Sequence, residues 1–171
     1  MERLWRPWRM EYVGADQDED RCVFCDHLGG NDDVAARILL RTGHVFVILN
    51  AFPYNTGHLM VAPVRHTGDL ADLAPYERHE LMDVTAESVR ILTEAMGAHG
   101  CNVGMNLGRV AGAGIPGHLH IHVVPRWGGD TNFMPVVGET KVLPEMLDET
   151  DAKLRPLFAA VTRHGSPPPN G

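Results

Sequence analysis

The stretch GHLHIHVVPRW, residues 117–127, sets three histidines at two-residue spacing, with Leu119 and Ile121 between them and Val123 following. Alternate residues of a strand point to opposite faces, so the pattern reads as a strand with one apolar side in a core and His118, His120 and His122 on the other. At about 3.3 Å per residue the three Cβ atoms form a row ~13 Å long. An exposed sheet face tolerates polar residues, which accounts for one histidine more readily than for three in register. Two chemical readings stand beside that one. Neutral imidazole is a good zinc ligand, although a straight strand brings two rings to one ion more easily than three. The other reading is nucleophilic catalysis by an imidazole nitrogen. It gains from the preceding loop NLGRVAGAGIPG, residues 106–117, whose glycines open backbone N–H groups to a phosphate or another oxyanion.

Upstream, apolar runs bounded by turn residues predict strands at 36–41, 44–50 and 57–64, with Thr42-Gly43 as a tight hairpin turn. From Pro75 to about His99 the period becomes helical through Leu81, Thr85, Val89, Leu92 and Met96, with Pro75 in the first turn and Gly100 as the stop. Met82, Val89 and Met96 are expected in core packing. A strand at 101–107, a glycine-rich loop at 108–117, the histidine strand at 118–124 and a second helix near 143–162 complete the order. Strands grouped around one long helix, without strand-helix alternation, predict an α+β fold: an antiparallel sheet of about five strands with two main helices packed on a face.

The 171 residues, 44% hydrophobic, suffice for a single domain spanning 1–171. Residues 1–21 are expected to form an N-terminal arm and acidic loop, and GSPPPNG, residues 165–171, a disordered tail. A formal charge of −7 argues against a protein that coats nucleic acid, while leaving small anionic ligands possible. MERLWRPWRM is interrupted by Pro7, and no apolar run is long enough to span a bilayer, so neither secretion nor a membrane is expected. Three cysteines make no disulfide framework and fit a reducing, cytoplasmic setting.

Cys22 and Cys25 form a C-x-x-C pair that can be redox-active, zinc-binding or incidental; the strand-to-helix context of a thioredoxin site is missing. A structural zinc site needs four N/S ligands, so two more would come from the ten histidines, His27 being a nearby candidate. Cys101 reads as a buried small hydrophobe. Trp5 and Trp8 among Arg3, Arg6 and Arg9 suit packing better than phosphate binding, and Arg126 and Lys141 are lone cations that can meet distal phosphates or simply be solvated.

HLHIHVV resembles the signature of the histidine-triad (HIT) nucleotide hydrolases and transferases, in which three histidines alternate with apolar residues. The resemblance covers most of the chain. VILNAFPYNTGHLMVAPVRH is similar to the family's first half and GMNLG to its strand before the glycine loop. VVPRWGGDTNFMPV with KVLPEML resembles the bacterial branch of diadenosine tetraphosphate phosphorylases. The resemblance implies that His120 attacks the α-phosphorus of a nucleotide, that His122 binds a phosphate oxygen or assists the leaving group, and that His118 completes the catalytic set beside His120. It further implies that Asn50 and Asn106 contact ribose and phosphates and that N–H groups near Gly114 and Gly117 stabilise charge. For the cysteines it implies zinc held by Cys22, Cys25, His66 and His118, or a zinc-free site in which His66 assists catalysis. It also implies a homodimer. One departure stands out: many relatives carry a serine, threonine or glutamine before the triad, and GAGIPG offers no side-chain donor. Phosphorolysis of diadenosine tetraphosphate to ATP and ADP is the implied activity. Dinucleoside polyphosphate or phosphoramidate hydrolysis and a non-catalytic nucleotide-binding module are the alternatives.

Overall fold

A computed structural model describes residues 21–130 and 145–164, the side chains of 162–164 excepted. The tryptophan- and arginine-rich arm, Lys141, the start expected for the second helix and the tail from 165 lie outside the described residues. Five strands form one antiparallel sheet: β1 (Ile38–Arg41), β2 (Val45–Leu49), β3 (Leu59–Pro63), β4 (Gly100–Met105) and β5 (Ile121–Arg126), in the order β1-β2-β3-β5-β4. Among the described residues three α-helices accompany them: α1 (Val23–Gly29), α2 (Pro75–Met96) and α3 (Leu147–His164). This is the α+β arrangement expected, with the two long helices on one face.

Alternation along the strands sorts the side chains into two layers. Val45, Val47, Leu49, Leu59, Val61, Ile121 and Val123 face α2 and α3, where Leu81, Ile91, Leu92, Leu154 and Phe158 close the larger core. Phe46, Ile48, Met60 and Ala62 take the other face, where Phe24 of α1 seals a smaller core. At ~25 cal/mol per Å2 of apolar surface removed from water, each such side chain contributes roughly 1.5–3 kcal/mol, so both layers are strongly held.

Several boundaries differ from the sequence reading. The long helix ends at Met96, with Gly97 as a left-handed cap (φ 60), and Gly100 begins β4 instead of stopping the helix. Met82 is 54% exposed, on the solvent side of α2, and does not belong to the core stripe. The β1–β2 connection takes three residues, Thr42–His44, because the Thr42 hydroxyl and N–H both pair with Val45. The C-x-x-C pair straddles the start of a seven-residue helix that periodicity did not indicate, with Cys22 at its N-cap and Cys25 in its first turn. The final strand starts at Ile121, so only His122 belongs to it; His118, at a bend, and His120 precede it.

Candidate active site and metal-ligand cluster

β5 pairs with β3 and β4 in a register that puts His122 opposite Met60 and Gly104. His122 therefore shares the face covered by Phe24. That cover ends toward β4, whose Asn102 and Gly104 are exposed, and Gly104 brings no side chain beside His122. The histidine row thus runs from a buried end at His118 to an open end at His122.

Backbone bonds lift His118–His120 off the ladder: His118 N–H donates to Ile115 O (3.3 Å) and Leu119 N–H to Thr67 O (2.7 Å). The His120 ring turns back on its own segment, Nδ1 lying 2.8 Å from His118 O. A carbonyl only accepts, so Nδ1 carries the proton and the neutral ring presents its lone pair at Nε2. His118 is held the opposite way round, with Nε2–H donating to Pro63 O at 2.7 Å and Nδ1 left with the lone pair. Both rings are buried, and Phe24 meets them edge-on at 5.2 and 5.3 Å between centroids. Desolvation lowers both pKa values below the ordinary 6.5, against the carbonyl bonds that favour the charged forms; His66 and His120 add a smaller repulsion at His118. Neutral imidazoles follow near pH 7.

His118 Nδ1 points at sulfur. Cys22 Sγ is 3.3 Å and Cys25 Sγ 3.7 Å away, and Cys25 Sγ is 3.3 Å from His66 Nδ1. All four donor atoms lie within 4.8 Å of one another. A tetrahedral ion bound at about 2.3 Å to sulfur and 2.0–2.1 Å to nitrogen separates its S and N ligands by roughly 3.5 Å, so the donor set fits a metal ion in both chemistry and spacing. Burial raises the Cys25 thiol to about 11, with the Cys22 thiol and Asp26 adding to the shift, so a cation must displace its proton. His27, the competing ligand, is outside the cluster. His66 arrives three residues beyond β3, on a connection pinned by Glu77. That carboxylate caps Ala74 N–H (2.7 Å) and takes two bonds from Arg65 (3.0 and 2.8 Å), which hold its pKa down to about 2. Gly68 lets the same connection lie against the glycine loop, since a Cβ there would sit 2.3 Å from Pro116 O.

At the open end the sequence reading missed His58. Its Nδ1 accepts from Tyr54 N–H (3.0 Å) and approaches Asn50 Nδ2 (3.3 Å), and its Nε2 lies 3.0 Å from His122 Nδ1. A lone histidine before an apolar run carries no signal; its place emerges from the β3–β5 register. Asn50 is tied into the same loop, its Oδ1 accepting Phe52 N–H at 2.9 Å. Asn106 donates to Gly112 O (3.4 Å), bracing the glycine loop. Gly114 and Gly117 are exposed on that loop. Arg126 is not a free cation: Asp130 binds it at 2.6 and 2.7 Å and Asn102 at 2.9 Å.

Comparison with known proteins decides the family. The HIT domain model matches residues 31–129. The chain belongs to the HIT domain family. An AP-4-A phosphorylase of Mycobacterium tuberculosis is 40% identical over 157 residues, covering 88% of this chain and 80% of that one, and this HIT chain is likewise an enzyme. A Zn-bound histidine triad family protein from Mycobacterium smegmatis superposes with a TM-score of 0.68 at 28% identity, covering 85% of this chain and 98% of the other. A hypothetical histidine triad nucleotide-binding protein from Sulfolobus tokodaii shares the fold, with a TM-score of 0.67 at 23% identity over 88% of this chain and all of the other. HIT enzymes act on small nucleotides, and among the described residues no helix is long and apolar enough to cross a membrane.

Proposed function

We propose that this HIT enzyme transfers a nucleotidyl group from the α-phosphate of an adenine dinucleotide through His120, and that its reaction is phosphorolysis of diadenosine tetraphosphate. The observation that carries the reading is the 2.8 Å bond from His120 Nδ1–H to His118 O, which leaves the nucleophilic lone pair on Nε2 of a buried, neutral ring. In the first step Nε2 bonds to the α-phosphorus, the bond to the bridging oxygen breaks, and ATP departs. In the second, an oxygen of inorganic phosphate attacks the nucleotidyl-imidazole, the P–N bond breaks, and ADP forms.

His122 receives a hydrogen bond at Nδ1 from His58 in this reading, so its Nε2–H faces the phosphate. Gly112, Ala113 and His118 use their N–H groups to close the glycine loop and Leu119 N–H donates to Thr67 O, so the N–H groups of Gly114, Ile115 and Gly117 are assigned to the equatorial oxygens. Backbone donors thereby stand in for the side-chain donor that GAGIPG lacks. Asn50 and Asn106 border the cleft as contacts for ribose and phosphate. The similarity to the mycobacterial AP-4-A phosphorylase supports the substrate.

The ion assigned to Cys22, Cys25, His66 and His118 is zinc, with support from the Zn-bound relative. When bound it supplies a positive charge and a structural clamp. The chain does the rest: His118 ties the cluster to the reacting ring through its carbonyl, and α1 is fixed over that ring. Among the described residues β4 is an edge strand, and Val103 on it and Leu107 just beyond it, each 47% exposed, suit a homodimer. The chain is read as one cytoplasmic domain whose thiols stay reduced.

Incubation of diadenosine tetraphosphate with and without inorganic phosphate tests the reaction. ATP and ADP are expected only with phosphate; AMP in both arms makes the enzyme a hydrolase. An alkaline denaturing quench followed by peptide mass spectrometry should find AMP on His120. Turnover by His120→Gly at the unmutated rate would refute the mechanism.

A further inference from the structure

The Phe52–His58 connection is anchored far from the histidines. Both N–H bonds of the Asn55 amide are used, one to Pro125 O (3.1 Å) and one to Asp130 Oδ2 (3.0 Å), while Asn55 Oδ1 accepts Thr56 N–H (3.2 Å). Two acceptors on one side and a donor on the other fix the amide's orientation. Asp130 is itself immobilised: Arg126 binds both its oxygens, Trp127 N–H adds a third bond at 3.2 Å, and the arginine bonds first among these hold its pKa down to about 2. The clamp therefore joins the loop to the end of β5, the strand that carries His122.

The residue before Asn55 supplies the Tyr54 N–H that donates to His58 Nδ1, and Asn55 O accepts His58 N–H at 3.1 Å. A backbone N–H only donates. With Nδ1 accepting, neutral His58 must carry its proton on Nε2, which then donates to His122 Nδ1 and leaves the His122 proton on Nε2. Were the Tyr54 N–H displaced, Nδ1 would keep the longer contact to Asn50 Nδ2 (3.3 Å) but lose its shorter donor (3.0 Å), and protonation of His58 at Nδ1 would become easier. The bond to His122 would then reverse and His122 would turn a bare lone pair toward an anionic substrate.

We propose that Asn55 and Asp130 are positioning residues that, by clamping the Tyr54 peptide onto His58, set the tautomer of His122 without touching substrate. The kinetic part of this inference rests on the nucleotidyl-transfer reading; the tautomer part does not. Two-bond 1H–15N spectra of the imidazoles, recorded on the full chain at a pH above the histidine range, should show Nε2–H for both His58 and His122. In Asn55→Ala the His58 signals should move toward a mixture of tautomers, and in Asp130→Asn, which retains an acceptor, they should move less. By analogy with loss of an outer partner that orients a reacting group, kcat of Asn55→Ala should fall by roughly 10–100-fold with KM changing little. Nδ1–H on His58 in the unmutated protein overturns the proposal even if the variants do not fold. So does Asn55→Ala that folds, keeps both tautomers and loses only stability. Correct tautomers in a protein that forms no nucleotidyl-His120 would refute the reaction and leave the clamp standing.

Discussion

Replacing Phe24 by alanine should destabilise the protein far beyond what one residue of a seven-residue helix suggests. Phe24 is 1% exposed and packs edge-on against Phe46 at 5.7 Å as well as against His118 and His120. It is also the one fully buried residue of α1, where Leu28, a turn further on, packs against the same cluster only partly buried. A buried aromatic removes ~150–250 Å2 from water, and truncation to alanine typically costs ~3–5 kcal/mol once the cavity is included. Against a total stability of roughly 5–15 kcal/mol that loss is large. For a protein of this size each kcal/mol lowers Tm by about 2–4 °C, so Phe24→Ala should melt some 6–20 °C below the unmutated protein. Circular dichroism melts and urea titrations measure the shift, with Val34→Ala, at a residue 62% exposed, as the control expected within about 0.5 kcal/mol of the parent. Turnover, measured well below the variant's Tm, should fall too, since the cavity opens beside the two rings that the mechanism holds still. A Phe24→Ala protein that melts with the Val34→Ala control would refute the claim that this side chain seals the second core.

Elemental analysis should find close to one zinc per chain, and Cys25→Ser should weaken binding by at least ~100-fold; because the Cys25 thiol is raised to about 11, affinity should rise with pH as protons are released. In the proposed mechanism His120 acts in its neutral form, and its pKa is lowered below 6.5, so kcat/KM should stay level as pH falls to 6.5 and drop only beneath it; an acid limb above 6.5 would contradict the burial argument. In metal-free protein the same depression at His118 and His120 means the unfolded chain binds more protons between their folded pKa values and 6.5. Urea titrations should therefore show the contribution of these two groups rising with pH through that window and level on either side of it. Gly68→Ala forces a Cβ to within 2.3 Å of a backbone oxygen, so the His66 connection must part from the glycine loop, and both metal content and turnover should decline together.

The histidine alternation was enough to place Leu119, Ile121 and Val123 in the main core and the imidazoles on the other face, because side-chain parity survives even where the ladder stops. Where the ladder starts was not legible. His118–His120 leave it through bonds to Ile115 and Thr67, partners distant in sequence or set by the glycine loop. Helix α1 was hidden for a different reason: VFCDHLG is too short and too poor in helix formers to show a period, and it is secured by tertiary burial of Phe24. The donor set around Cys22 and Cys25 followed from family resemblance and not from spacing, since His66 and His118 are 52 residues apart in the chain. His58 escaped notice because a histidine's partner across a sheet is fixed by register.

His118 performs its two duties with different atoms: the ring reaches the thiols and Pro63, and the main-chain oxygen grips the neighbouring imidazole. Anyone redesigning the cysteine cluster as a metal-free apolar plug therefore inherits a constraint from the adjacent peptide. The substitute must fill the vacated space and also keep that one carbonyl aimed, or the His120 ring will rotate away although nothing in its own surroundings has been altered.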